Sequence, residues 1–171
     1  GGTGRAMAKR AAAFGMKCIA VDRDPVAPMT EVPEVWSPAR LEELLAFSDI
    51  VSVCCPLTSH TRELFDEAAF TVMKDNAILV NVTRGEVMHE TSLINALKNG
   101  QIGGAALDVA PREPLPADSP LWSMPNVVMT PHTAGASQFR VQRNIDRFIH
   151  NLQAYINGEK LEGVIDREAG Y

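Results

Sequence analysis

Four side chains with acid–base or anion-binding chemistry stand where three apolar runs give out. Arg84 follows AILVNV, within TRGE; Asp108 and Glu113 lie in LDVAPREP, where GGAALDV ends; His132 follows VVMTP. A guanidinium fork holds a carboxylate through two parallel hydrogen bonds. An imidazole gives or takes a proton near neutral pH, and a carboxylate beside it favours the imidazolium and raises its pKa. Taken singly, each residue has a plainer reading: Arg84 as a surface ion pair, Asp108 as a cap, Glu113 as a solvated loop acid, His132 as a histidine satisfied by backbone carbonyls. Their coincidence gives them weight, because an open parallel sheet binds ligands outside the carboxyl ends of its strands.

The elements that must position them are legible as patterns. Five short runs rich in Val, Ile or Ala read as strands: Met16–Val21, Ile50–Cys55, Ala77–Val82, Ile102–Val109 and Asn126–Thr130. They are largely apolar rather than alternating, as strands covered on both faces are. Helical patterns lie between most of them. Gly4–Phe14 is closed by Gly15, Pro38–Phe47 carries Leu41, Leu44 and Leu45, and Glu90–Asn99 is closed by Gly100. Such alternation predicts an α/β fold, a doubly wound parallel sheet of Rossmann type. Pro111–Pro125 holds five of the eleven prolines and reads as a loop, not an element. In the last helix Val141, Ile145, Phe148, Ile149, Leu152 and Ile156 form one stripe ended by Gly158, read as ordinary packing, with His150 solvated or capped.

The chain opens on Gly1-Gly2-Thr3-Gly4 and runs straight into a helix. A glycine turn that opens a helix normally follows a strand; the expectation is that the first strand precedes Gly1 and that these residues are the back half of a longer protein. As the second and third glycines of a GxGxxG turn, Gly1 admits a pyrophosphate to the backbone and Gly4 lets the helix pack close to the sheet. The N–H groups of Gly2 and Thr3, at the positive helix end, hold the phosphates. Half a motif is weak by itself, and a plain glycine turn is the simpler account. Asp22 strengthens the dinucleotide reading: it ends the next strand, close to where the ribose-binding acid falls about twenty residues on. A carboxylate there repels a 2′-phosphate and favours NAD over NADP, although the neighbouring Arg23 is able to accept that phosphate. With a nicotinamide beside them, the strand-end residues make a dehydrogenase for 2-hydroxy acids. Arg84 holds the substrate carboxylate and C2 oxygen, His132 donates a proton to that oxygen, and Glu113 orients and tunes His132. The small residues Thr133, Ala134 and Gly135 leave space for the ring.

Bulk properties fit a single globular domain and disfavour several other classes. With 171 residues, 46% apolar and 22% charged, the chain has the composition of an ordinary globular domain. A net charge of −5 argues against nucleic acid or an anionic membrane as partner. No apolar run approaches the roughly 18 residues of a membrane helix, and the start is no signal peptide. Three cysteines, two of them adjacent, form no disulfide framework and no CxxC metal clip. Free thiols of this kind belong to a reducing cytoplasm.

Read as blocks in order, the chain resembles the coenzyme domain of the D-isomer-specific 2-hydroxyacid dehydrogenases over nearly all its length. The blocks are GGTGRAMAKRAAAFGMKCIAVD, SDIVSVCCPLTSHTREL, ILVNVTRGEVMHE, LINALKNGQIGGAALDV, EPLPADSPLW, NVVMTPHTAGAS and VIDREAGY. The resemblance implies an NAD-binding domain over 1–136, with 137–171 returning toward a substrate domain that lies outside the chain. It implies Arg84, Glu113 and His132 as the catalytic trio, Asp108 as acceptor from the nicotinamide carboxamide, and Gly2 and Thr3 as pyrophosphate binders. Asp22 is then the ribose acid, Cys55 lines the adenine side, and Val82 and Thr83 stand beside the nicotinamide. The partners implied are a 2-hydroxy or 2-oxo acid and, as a homodimer, a second copy. Thr3, Glu86, His89 and Ala110 depart from the family pattern; Thr3 and Ala110 bear on coenzyme contacts, and His89 reads as structural or solvated. Competing readings are a non-catalytic dinucleotide-sensing corepressor, a formate-type dehydrogenase (disfavoured by Glu113, where those relatives carry Gln), and a coenzyme domain inactive by itself.

Overall fold

The computed structural model describes residues 1–168; the last three residues of the VIDREAGY block lie outside them. Contacts group the chain into two compact units, Gly1–Pro131 and the chain from His132 onward.

In the first unit, helix α1 (Gly2–Ala13) is Ala-rich and is stopped by Gly15 at φ +80°, a left-handed conformation that glycine adopts without a Cβ penalty. Strands β1 (Ala20–Val21) and β2 (Val35–Trp36) pair in parallel, Ala20 with Val35 and Val21 with Trp36. After helix α2 (Leu41–Phe47) come β3 (Ile50–Val53), α3 (Glu67–Val72), β4 (Ile78–Asn81), α4 (Glu90–Lys98), β5 (Gly104–Leu107) and β6 (Val127–Met129). The four later strands form one parallel sheet in the order β3-β4-β5-β6. One face of this sheet is well covered: Val51, Val53, Leu79, Ala105 and Leu107 are buried with Phe70 of α3, Leu93 and Leu97 of α4, and Leu45 of α2. The other face falls short of the two-sided cover that composition predicts, with Ile50 48% and Val128 68% exposed. The fold is the doubly wound α/β architecture that the alternation predicts.

The sequence and structure differ in extent and in two missing elements. The first strand shortens from Met16–Val21 to Ala20–Val21, because only these two residues meet a partner strand among the described residues. β2 is two residues long between Pro33 and Pro38, too short for a periodic signal. Helix α3 was not expected, yet it carries a start signal: Asp66 Oδ1 accepts from Ala69 N at 2.9 Å and Glu67 sits in the first turn. Within the loop expected over Pro111–Pro125, Pro120–Ser123 winds into one 3₁₀ turn capped by Ser119. Leu121 is buried there, and that burial gives the turn its footing.

The second unit holds α5 (Arg140–Ile156) and a tail bracketed onto it by Asn151. The Asn151 carboxamide donates to Glu162 O and accepts from Glu162 N, both at 2.9 Å. His150 Nε2 lies 3.6 Å from Glu162 Oε1 on the exposed side. The apolar stripe does not pack as expected. Val141, Ile145, Phe148, Ile149, Leu152 and Ile156 are 46–73% exposed, and Ala154 is the helix's buried residue. One helix and a tail have too little apolar surface to cover it.

Candidate active site at the carboxyl edge of the sheet

The strand register brings the functional segments to one edge. Val53, Asn81, Leu107 and Met129 are successive partners across β3, β4, β5 and β6, so the four strands end level. Cys54 and Cys55, Val82 to Arg84, Asp108, and Thr130 follow directly from that row.

Arg84 is exposed, and its Nη1 donates to Thr83 O at 2.8 Å; among the described residues it forms no ion pair, which leaves most of the fork to solvent. The backbone beneath it is held by Asn81, which sequence reasoning passed over. The Asn81 carboxamide is fully buried; its Oδ1 accepts from Thr83 N (2.9 Å) and Thr83 Oγ1 (3.0 Å), and its Nδ2 donates to Arg84 O (2.9 Å). The available signal was a polar side chain closing an otherwise apolar strand, since a buried amide is kept only where its hydrogen bonds are met.

Asp108 is 5% exposed and receives the Thr130 hydroxyl at 2.5 Å, so Thr130 is a second residue the sequence left unassigned. Glu113 turns back on its own loop, its Oε1 accepting from Ala110 N at 3.0 Å. The loops carrying Arg84 and Glu113 abut. A Cβ built on Gly85 meets Ala110 C and O at 1.9 Å and Pro111 N at 2.4 Å, so no other residue fits there without moving backbone. Val82 and Thr83 are half-buried along the same stretch. His89, the unusual residue nearby, bonds Ser92 Oγ through Nδ1 at 2.8 Å within the first turn of α4.

At the other end of the row, the N-terminus of α1 has no side-chain cap and no acidic residue in its first turn. Its free N–H groups and positive dipole end are thus uncompensated by its own sequence. A Cβ on Gly1 or Gly2 finds no atom within 4 Å, so open space faces that end. Asp22 Oδ2 lies 3.3 Å from Gly1 N, with Asp22 Oδ1 taking Asp24 N at 3.2 Å. Exposed amides, open space and a carboxylate at the next strand end fit a pyrophosphate and its ribose. Gly4 faces Cys54, but an added Cβ would stand 3.6 Å from Cys54 Cβ, ordinary contact rather than a forced close approach. Burial pushes the Cys55 thiol above its usual range, and the Asp22 charge is near enough to add to the effect. Arg23 lays its fork on Asp24 at 3.0 and 3.2 Å.

His132 opens the second unit. It is exposed and holds φ +53°, a left-handed conformation uncommon outside glycine, and costly backbone of this kind clusters at functional sites. Gly135, three residues on, has open space where a Cβ would stand. Among the described residues no group of three metal-ligating side chains occurs, and no helix is long and apolar enough to cross a membrane.

Comparison with known proteins accords with this geometry. Residues 1–134 match the model of the D-isomer specific 2-hydroxyacid dehydrogenase, NAD binding domain. A glyoxylate reductase of Korarchaeum cryptofilum is 40% identical over 171 residues, 98% of this chain and 50% of that protein. A glycerate dehydrogenase of Methylorubrum extorquens is 36% identical, covering 93% of this chain and 48% of its own. Among solved structures, an NADPH-dependent glyoxylate/hydroxypyruvate reductase from Sinorhizobium meliloti, in complex with NADP and sulfate, superposes with a TM-score of 0.87. It is 34% identical and covers 96% of this chain and 52% of that one. A D-isomer specific 2-hydroxyacid dehydrogenase from Xanthobacter autotrophicus, with NADPH and MES, gives 0.90 at 36% identity, over 98% and 68%. The chain spans about half the length of the curated relatives it matches. On the family match and this shared architecture, the chain belongs to the D-isomer specific 2-hydroxyacid dehydrogenases, as their nicotinamide-dinucleotide-binding domain.

Proposed function

We propose that the protein reduces a 2-oxo acid to its D-2-hydroxy acid, and runs the reverse oxidation, with Arg84, Glu113 and His132 as the catalytic trio. The observation that carries this reading is the abutment of the Arg84 and Glu113 loops at Gly85, on the edge where Asp108 and the open end of α1 also lie. A bound nicotinamide coenzyme supplies or accepts the hydride. Gly1, Gly2, Thr3 and Gly4 line the pyrophosphate, Asp22 takes the ribose hydroxyls, and Cys55 lies on the adenine side. Val82, Thr83, Asp108 and Gly135 form the nicotinamide end. Arg84 grips the carboxylate and polarises the C2 oxygen, His132 passes a proton to that oxygen, and Glu113 favours the charged imidazole.

Glyoxylate and hydroxypyruvate, the substrates named for similar proteins, are the first compounds to try. NAD is favoured over NADP because Asp22 repels a 2′-phosphate and Asp24 already occupies the Arg23 fork, even though the similar solved structures hold NADP or NADPH. The exposed α5 stripe suits a covered position against the substrate domain of the full-length protein, which then works as a cytoplasmic homodimer. The deciding experiment is NADH oxidation by the full-length protein with a panel of 2-oxo acids. His132→Ala is expected to cut turnover by about a hundred-fold or more, the scale of a lost general acid, while NADH affinity barely moves. Unchanged turnover sinks the mechanism.

A further inference from the structure

We propose that Asn81 is the positioning residue of the substrate-binding arginine: its buried carboxamide sets the Thr83–Arg84 backbone and so aims the guanidinium. The proposal rests on the reading of Arg84 as the carboxylate binder. β4 is apolar until its last residue, and that residue is wholly buried. A carboxamide offers two donors and two acceptor sites; three of the four are used on the two residues that lead to the Arg84 side chain. Oδ1 binds both the amide and the hydroxyl of Thr83, while Nδ2 binds the carbonyl of Arg84, so the intervening peptide is held from both sides. The Arg84 guanidinium then returns to Thr83 O, a carbonyl belonging to that held peptide.

Two further contacts remove the slack. The Asn81 carbonyl accepts from Asp108 N at 2.9 Å, tying the same residue to the neighbouring strand end. On the far side, Gly85 lies against Ala110 and Pro111, so the loop cannot relax outward. The residue type is specific. An aspartate keeps the acceptor for Thr83 but turns an oxygen toward Arg84 O, and an alanine loses both sides. A turn that merely needed capping would require one of these bonds; binding the arginine's own carbonyl fixes the arginine.

The test is a double-mutant cycle in the full-length protein, with glyoxylate and NADH as probes, alongside amide hydrogen exchange at Thr83. Asn81→Ala is expected to lower kcat/KM for glyoxylate by about ten-fold or more, the scale of a lost, unreplaced hydrogen-bond set, and to expose the Thr83 amide to exchange. NADH affinity falls by less than that, since Thr83 also borders the proposed nicotinamide site. The same substitution in an Arg84→Ala background costs less than about two-fold, because its effect passes through Arg84. Asn81→Asp is expected to keep the Thr83 amide protected and to lose an intermediate amount, and it carries the cycle if Asn81→Ala fails to fold. Equal losses in both backgrounds, a parallel fall in NADH affinity, or a Thr83 amide that exchanges freely in the wild type each overturn the positioning role. Absence of wild-type turnover with every 2-oxo acid is a different failure: it overturns the function and, with it, the substrate role of Arg84.

Discussion

At the scale of single residues, the proposed site divides into groups assigned to meet the ligand and groups that hold them. Asp22 is assigned to the first kind, with Arg23 and Asp24 beside it. Asp22→Ala is expected to weaken NADH binding and narrow the preference over NADPH, because the like-charge repulsion of a 2′-phosphate goes with the carboxylate. Asp24→Ser then removes the carboxylate that lies on the Arg23 fork and moves the preference further the same way. Titration of both nucleotides against protein fluorescence checks this; an unaltered ratio removes Asp22 from the ribose. Cys55 makes a separate prediction from burial. Its folded pKa is raised, so the neutral thiol is the form the fold favours. That contribution is complete below the unfolded thiol's pKa and is lost as the pH rises through the folded value. Alkylation of Cys55, followed by peptide mass against pH, should reach its midpoint above that of an unfolded control. A midpoint at or below the control contradicts the half-buried placement. The strand-end candidates were legible as residue types, whereas Asn81 and Thr130 were not. Asparagine and threonine are common in turns for many reasons, and only tertiary structure separates these two: Asn81 by its burial, the exposed Thr130 by its bond to Asp108.

At the scale of elements, the sheet edge acts through level strand ends and through one contact between loops. Level ends follow from the parallel register, Val53 to Asn81 to Leu107 to Met129. The loop contact follows from Gly85, where any Cβ would overlap the Ala110 carbonyl. Gly85→Ala is therefore expected to destabilise by about 1–3 kcal/mol, the usual cost of overpacking, and to lower kcat/KM by separating Arg84 from the Glu113 loop. Thermal melts and glyoxylate kinetics test the two parts; a variant unchanged in both shows that the loops do not abut. Apolar runs revealed the longer strands because one face of each packs into the core and the other is mostly apolar as well. β2 escaped notice because two residues have no period, and α3 because its short apolar face lay between Asp66 and a strand, with no glycine stop to mark it. At the glycine turn, a Cβ on Gly1 or Gly2 would meet no atom within 4 Å, and Gly4, expected to serve a close approach, has room for a Cβ.

At the scale of the whole molecule, the apolar balance is uneven. The first unit covers one face of its four-stranded sheet with its own helices, whereas α5 leaves six apolar residues in water. Contiguous exposed apolar surface is typical of interaction faces, and the proposed occupant of this one is the substrate domain. Phe148→Asp is expected to lower the melting temperature of the full-length protein by several degrees and to leave the 171-residue chain by itself nearly unaffected. Equal melting shifts in both would mean that the stripe stays in solvent. By itself the sequence determined the α/β class, the family, and the set of chemically able residues, because strand composition, glycine turns and motif order are local properties of a chain. Only the tertiary structure decided which residues brace the others. Bracing depends on parallel register, on burial and on backbone contact between segments far apart in sequence, and none of these is written in the identity of any one residue. The same limit explains α5: its periodicity announced an apolar face, but whether such a face is covered depends on what lies against it.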